Sequence, residues 1–311
     1  MQRIVLDCDP GHDDAIAILL AARSPQIKLE AITTVAGNQT VEKTTLNARK
    51  VCTLAGIRDV PIAAGMTRPL AREQHVAADI HGASGLDGPD LPEPDIPLSP
   101  KHAVDLLIKT FLASKGEMTL VATGPLTNVA TAMLREPRIL PKIQRIVLMG
   151  GALGMGNTTP AAEFNIFVDP EAAHVVFTSG RPITMIGLEV THTAQATQEV
   201  RERIRALGTP VAKLVDDLLE FFAETYLRVF GFPAPPVHDP CTIASIIDPT
   251  LLRTQPMHVD IELRGEYTAG RTVCDLHGVT GKPANADVAL EINVPRFWDL
   301  LIETLARYPA K

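Results

Sequence analysis

The stretch Arg3-Ile4-Val5-Leu6-Asp7-Cys8-Asp9-Pro10-Gly11-His12-Asp13-Asp14-Ala15-Ile16-Ala17-Ile18 decides the fold class. Its first half is a β-branched apolar run, and its second half carries apolar residues at helical spacing, so a buried strand leads directly into a helix. The same alternation recurs along the chain. Arg3 to Asp9, Leu29 to Gly37, Met118 to Gly124, Arg145 to Gly151 and Ile183 to Glu189 read as strands. Asp14 to Ala22, Val41 to Ala55, His102 to Ser114 and Pro170 to Thr178 read as helices. Strands alternating with helices predict an α/β fold, a mainly parallel sheet with helices on both faces. Right-handed crossovers then gather the carboxyl ends of the strands along one edge. Near the end, His258 to Arg264 and Thr272 to Leu276 alternate enough to predict a small antiparallel addition. Leu86 to Pro100 and Phe230 to Pro240 are rich in proline and read as surface loops, so residues 1–311 are expected to form a single domain.

Composition narrows the function. Of 311 residues, 46% are hydrophobic and 21% charged, enough apolar content for a large buried core. A net charge of -7 without any basic block argues against polymeric nucleic acid or an anionic membrane as partner. The apolar run Ala15 to Ala22 is too short to cross a bilayer. Met1 to Pro10 lacks the charged and apolar regions of a secretory signal. Cys8, Cys52, Cys241 and Cys274 are scattered, a pattern suited to reduced thiols and hence to a cytoplasmic location.

The carboxylates of Asp7, Asp9, Asp13 and Asp14 fall within eight residues and repel one another unless a positive charge sits among them. Helix capping accounts for Asp13 and Asp14 but leaves Asp7 and Asp9 unexplained. A hard cation, Ca²⁺ or Mg²⁺, suits carboxylate oxygens, and without a Cys or His cluster zinc does not. Other readings of the segment each lack a second half. An EF-hand loop needs flanking helices and a closing Glu. An aspartyl phosphotransferase needs a later lysine and acid. A dinucleotide fold needs GxGxxG, and the glycines from Gly150 to Gly156 have the wrong spacing.

Polar residues follow other strands too: Gly37-Asn38, Thr123 to Asn128, Met149-Gly150-Gly151, then Asn157 and Glu163-Phe164-Asn165. A single Asn is usually a turn residue. Several on one sheet edge instead suit a ligand covered in hydroxyls, since ligands of such sheets bind outside the carboxyl ends. Pro236-Val237-His238-Asp239-Pro240 reads as a rigid loop that presents an acid beside a metal ligand.

Taken in order, the Asp7 to Asp14 cluster, Gly37-Asn38, Ile80-His81-Gly82 with Gly85-Leu86, Thr123 to Asn128, Met149 to Gly151, Glu163 to Asn165 and His238-Asp239 resemble the inosine-uridine-preferring nucleoside hydrolase family. The matching motifs span residues 7 to about 240. The resemblance implies an open, Rossmann-like sheet and hydrolysis of the N-glycosidic bond of ribonucleosides. It implies Ca²⁺ held by Asp9, Asp14, Asp239 and the Thr123 carbonyl. Asp13, Asn38, Asn157, Glu163 and Asn165 would grip the ribose, with a backbone contact from Met149 and His81 near the base. Asp9 would activate a water held at Ca²⁺, and His238 would be the leaving-group acid.

A purine-specific branch of the family stacks the base between Trp side chains and lacks the histidine acid. Here Trp298 is the one Trp, near the C-terminus, so the sequence resembles the histidine-containing branch, with pyrimidine or broad preference. Phe222, Tyr226 and Phe230, spaced by fours, either wall the base pocket or form a core stripe, and Tyr226 is expected to reach the base. The family suggests a homodimer or homotetramer. The competing readings are a non-catalytic Ca²⁺- and ribose-binding protein, a hydrolase of a modified riboside, and a metal-dependent phosphatase.

Overall fold

The computed structural model describes residues 1–310, and the strands come in the order the sequence predicts, with additions. They are β1 (Gln2–Cys8), β2 (Ile27–Thr34), β3 (Ile62–Ala64), β4 (Met118–Ala122), β5 (Ile143–Met149), β6 (Ile183–Ile186), β7 (Leu252–Met257), β8 (Val259–Ile261), β9 (Thr272–Cys274) and β10 (Ala286–Ile292). One eight-stranded sheet has the order β3-β2-β1-β4-β5-β6-β10-β7, and β8 and β9 form an antiparallel ribbon. Every pairing of the large sheet is parallel except that of β10 with β7.

Alternation along the strands sends side chains to two cores, one on each face. In β1, Ile4, Leu6 and Cys8 join the core beneath the helix His12–Arg23, whereas Val5 joins the core of the other face with Phe111 and Leu120. The helix His12–Arg23 is buried on all sides from Ala15 to Ala21, wedged between the sheet and the helices Pro240–Ile247 and Val294–Leu305. Each large side chain so buried contributes about 1.5–3 kcal/mol.

The strand order fixes where a ligand can sit. From β1 the chain moves outward through β2 to β3, then crosses back to place β4 on the other side of β1. The loops after β1 and β4 therefore part company at their carboxyl ends and open a crevice between them. The Thr123 N–H donates to the Asp7 carbonyl at 2.9 Å, which pins the two loops at the base of that crevice. Leu86 to Pro100 holds no helix or strand beyond a bridge at Leu98, yet it buries Leu86 and Ile96. No helix among the described residues is long and apolar enough to cross a membrane.

Candidate active site

A cavity of about 320 Å³ lies over this crevice. Its floor begins where β1 ends and Asp9-Pro10-Gly11 turns the chain into the helix His12–Arg23. Asp9, Asp13, Asp14 and Asp239 are all buried. Carboxylate oxygens of Asp13, Asp14 and Asp239 lie within 4.8 Å of one another. Asp14 accepts the Thr123 hydroxyl at 2.8 Å on one oxygen, and the Gly11 N–H at 3.0 Å and the Asn38 amide at 3.2 Å on the other. Asp9 Oδ2 accepts the Asn38 N–H at 2.7 Å, but its Oδ1 is buried without a hydrogen-bond partner. A Cβ on Gly124 would come within 2.5 Å of that oxygen, so the approach requires glycine.

No Lys or Arg lines the cavity. Burial, with the charge of neighbouring carboxylates, raises the Asp14 pKa to about 7 and lifts Asp9 and Asp239 well above the ordinary carboxylate range. An isolated cluster of this kind is costly, and a hard cation offsets the cost. The donor set fits one: carboxylate oxygens only, an orphaned Asp9 Oδ1, and Thr123 lining the same cavity. The Thr123 carbonyl accepts the Asn165 amide at 2.8 Å.

The side of the cavity built after β5 supplies amides. Glu163 caps the short helix Phe164–Val168, accepting N–H groups of Asn165 at 2.9 Å and Ile166 at 3.1 Å, and it also takes the Gly151 N–H at 2.9 Å. Burial still raises its pKa to about 7. The Asn165 amide donates to the carbonyls of Thr123 and Met149, Asn157 Oδ1 accepts the Phe164 N–H, and the Asn38 amide donates to the Asp9 carbonyl. These bonds leave Asn38 Oδ1, Asn157 Nδ2 and Asn165 Oδ1 without partners in the chain, on residues that line the cavity.

The opposite wall comes from the helix Pro210–Phe230, which ends at Gly231 in the left-handed conformation (φ 71°). Phe222, Tyr226 and Phe230 all line the cavity. Phe222 is also fully buried, so both readings of that stripe hold for it. The Tyr226 hydroxyl lies 2.7 Å from His238 Nε2, and the Thr191 hydroxyl lies 2.8 Å from His238 Nδ1. The His238 N–H donates to Asp13 at 3.0 Å, which ties the wall to the floor. Burial pushes the His238 pKa down to about 4 and raises that of Tyr226, so near neutral pH the pair is an imidazole and a phenol.

The structure thus brings Asp9, Asp13, Asp14, Asn38, His81, Thr123, Met149, Asn157, Glu163, Asn165, Tyr226, His238 and Asp239 around one crevice. It places the Asp13 carboxylate inside the acidic cluster as well as beside the cavity. Trp298 packs on Phe297 in the last helix and does not line the cavity. Sequence reading missed Thr191, although its position just past β6 on the carboxyl edge marks it. It also passed over His12, whose ring contacts His81.

This geometry agrees with the comparisons. The model of the family described as inosine-uridine preferring nucleoside hydrolase matches residues 4–299. The chain is 52% identical over 98% of its length to a pyrimidine-specific ribonucleoside hydrolase RihA of Shewanella sp. (strain ANA-3), covering 96% of that protein. It is 51% identical to the protein of the same name from Citrobacter koseri, over 98% of each chain. Among solved structures, a purine-preferring ribonucleoside hydrolase from Gardnerella vaginalis superposes with a TM-score of 0.92 at 33% identity, over 98% of each chain. A plant nucleoside hydrolase, PpNRh1, superposes at 0.90 and 33% identity, over 98% of this chain and 99% of that one. With the acidic crevice, the amide-lined cavity and these matches in hand, the chain belongs to the inosine-uridine preferring nucleoside hydrolase family.

Proposed function

We propose that this protein hydrolyses the N-glycosidic bond of ribonucleosides, preferring pyrimidine bases, and releases free base and ribose. One observation carries the reading. A buried carboxylate cluster with an unpartnered Asp9 oxygen faces a Tyr226–His238 pair across one cavity, with free amide atoms of Asn38, Asn157 and Asn165 at its sides.

In this reading Asp9, Asp14, Asp239 and the Thr123 carbonyl hold Ca²⁺, with Asp13 beside them. Ca²⁺, when bound, neutralises the cluster and acidifies water at neutral pH. Asp9 Oδ1 takes the proton of the attacking water. Asn38, Asn157, Asn165, Asp13 and Glu163 hold the ribose hydroxyls and fix the anomeric carbon above the floor, which lowers the entropic part of the barrier. As the bond to the base stretches, the carboxylates below favour the developing positive charge on the sugar. The departing base takes its proton from the Tyr226–His238 pair, for which the Thr191 hydroxyl orients the imidazole. The pyrimidine preference rests on the names of the relatives at about half identity and on a wall of Phe222, Tyr226 and Phe230 without Trp.

A homodimer or homotetramer in the cytoplasm completes the proposal, and light scattering of the purified protein tests the assembly. The catalytic reading is tested by ribose release from uridine before and after chelation. We expect turnover to vanish in metal-free protein, to return with Ca²⁺, and to return poorly with Mg²⁺, which tolerates irregular oxygen cages less well. Full turnover in protein shown to be metal-free by elemental analysis would contradict the assignment of the floor. Phosphate released from phosphomonoesters without ribose from nucleosides would point to a phosphatase instead.

A further inference from the structure

The antiparallel ribbon of β8 and β9 has no part in the mechanism above, yet one of its side chains grips the loop that leaves β5 for the cavity. Val259 and Ile261 of β8 are buried in the core of one sheet face, which anchors the ribbon. Along β9 the side chains alternate, so that Val273 is exposed and Thr272 is buried. The Thr272 hydroxyl accepts the Ala152 N–H at 2.9 Å and donates to the Ala152 carbonyl at 2.6 Å. One hydroxyl thereby satisfies both backbone groups of a buried residue. The residue before it, Gly151, has φ 77°, and a Cβ there would come within 2.6 Å of the Thr272 methyl carbon. The ribbon rests directly on this turn, which only glycine permits.

The turn matters for what its N–H meets. Gly151 donates to Glu163 Oε2 at 2.9 Å. Glu163 accepts two further N–H groups, from Asn165 and Ile166, but both belong to the short helix that it caps and would travel with it. Among the described residues, the Gly151 bond is therefore the one that ties the Glu163 carboxylate to the end of β5. Three N–H donors fill three of the roughly four acceptor sites of a carboxylate, which leaves one for a ligand in the cavity that Glu163 lines. Where that site points depends on the Gly151 N–H, and the place of this N–H depends on the grip of Thr272 on the next residue.

We infer that Thr272 is a positioning residue for the sugar: by clamping Ala152 it holds the Gly151 N–H on Glu163, and so aims the open acceptor of that carboxylate at one ribose hydroxyl. The inference rests on the reading of the cavity as a ribonucleoside site. It gives the small antiparallel addition a task, as an anchored brace for the loop after β5.

The test compares kcat/KM on uridine and on 2′-, 3′- and 5′-deoxyuridine for the Ca²⁺-loaded wild type, Thr272→Val, Thr272→Ser and Glu163→Gln. Thr272→Val keeps the shape and removes the hydroxyl, so uridine should lose ~3–10-fold, one ordinary hydrogen bond. Thr272→Ser keeps the hydroxyl and should stay near wild type. The deoxyuridine that lacks the hydroxyl held by Glu163 should be indifferent to Glu163→Gln, and the same deoxyuridine should be indifferent to Thr272→Val. Val273→Ala, one position along but facing outward, should change none of these rates. Should Thr272→Val fail to fold, Thr272→Cys, whose thiol bonds the backbone weakly, carries the same expectation. Equal losses on all four substrates would make the clamp purely structural and overturn the inference. An unchanged rate on uridine would overturn it too, as would indifference at a different hydroxyl from that of Glu163→Gln. Turnover of uridine by the wild type alongside any of those results leaves the functional reading standing, whereas no turnover in the wild type overturns both.

Discussion

The floor and the wall of the cavity are built from different material. The floor hangs on the ends of β1, β2, β4 and β5, whose interior positions near the site are fully buried, and hydrogen bonds among Asp9, Asp14, Asn38, Thr123 and Asn165 interlock it. The wall rides on the last two turns of a single helix. Exposure there climbs from 1% at Phe222 and 4% at Tyr226 to 38% at Phe230, with Leu227 and Val229 exposed as well. In the proposed mechanism, a floor fixed by sheet and polar bonds would hold the sugar and the reacting water to tight tolerances. A wall with few apolar contacts at its outer end can change residues, or move, without disturbing that geometry. Relatives named for purines and for pyrimidines match nearly the whole chain, which fits a base side that can differ on one shared frame.

Substitutions and substrates that touch only one side separate the two. The largest effect belongs to the floor. Asp9→Ala should lower kcat by ~10³–10⁴-fold, the upper part of the range for proton transfer by a positioned side chain. It should do so equally on uridine and on p-nitrophenyl riboside, because water activation does not depend on the leaving group. Steady-state kinetics on both substrates checks this, and a leaving-group dependence would move Asp9 to the wall's chemistry. Next comes His238→Ala, expected to slow uridine hydrolysis by ~10²–10³-fold while sparing p-nitrophenyl riboside, whose phenolate leaves without a proton. Equal losses on both would make His238 a structural or sugar-holding residue. Tyr226→Phe should follow the same split more weakly if its hydroxyl passes the proton.

Substrate truncation probes the floor's grip. Deoxyuridine should lose at least ~10²-fold in kcat/KM against uridine, because buried polar partners of the missing hydroxyl are left unpaired. Equal rates would show that the amides serve the fold alone. The smallest effect lies at the rim. Phe230→Ala removes a ring that packs on Tyr226 and Phe232, and should raise KM about fivefold, ~1 kcal/mol, with little change in thermal stability. Metal removal, by contrast, should cost stability as well as rate. Saturating the site a hundredfold above its Kd is worth about 2.7 kcal/mol, read as a Tm shift between chelated and Ca²⁺-loaded protein.

How much of this the sequence disclosed follows the same division. The floor was legible because its chemistry concentrates carboxylates and amides immediately after apolar strands, and a parallel sheet brings those positions together without further information. The strands themselves were read a few residues long. Ile183 to Glu189, for example, is a strand only to Ile186, after which Gly187 turns the chain into the short helix Leu188–Thr191. β7 escaped notice because Pro256 interrupts it, tolerated at the sheet's edge where a ladder donor is not needed. The wall was legible only in part. Spacing by fours placed Phe222, Tyr226 and Phe230 on one face, but nothing local says that this face meets His238, or that Thr191 and His12 touch the imidazoles of His238 and His81. Those are contacts between residues 47 and 69 positions apart, made by the tertiary fold alone.

The account stands or falls on the reaction itself, so the most direct measurement follows the products of uridine in phosphate-free buffer made with ¹⁸O-water. The account predicts free uracil and free ribose in equal amounts, with ¹⁸O at the anomeric carbon in the first-formed ribose and no turnover in chelated protein. Uridine that remains intact in Ca²⁺-loaded protein, or ribose that appears only when phosphate is supplied and then as a phosphate ester, would contradict it.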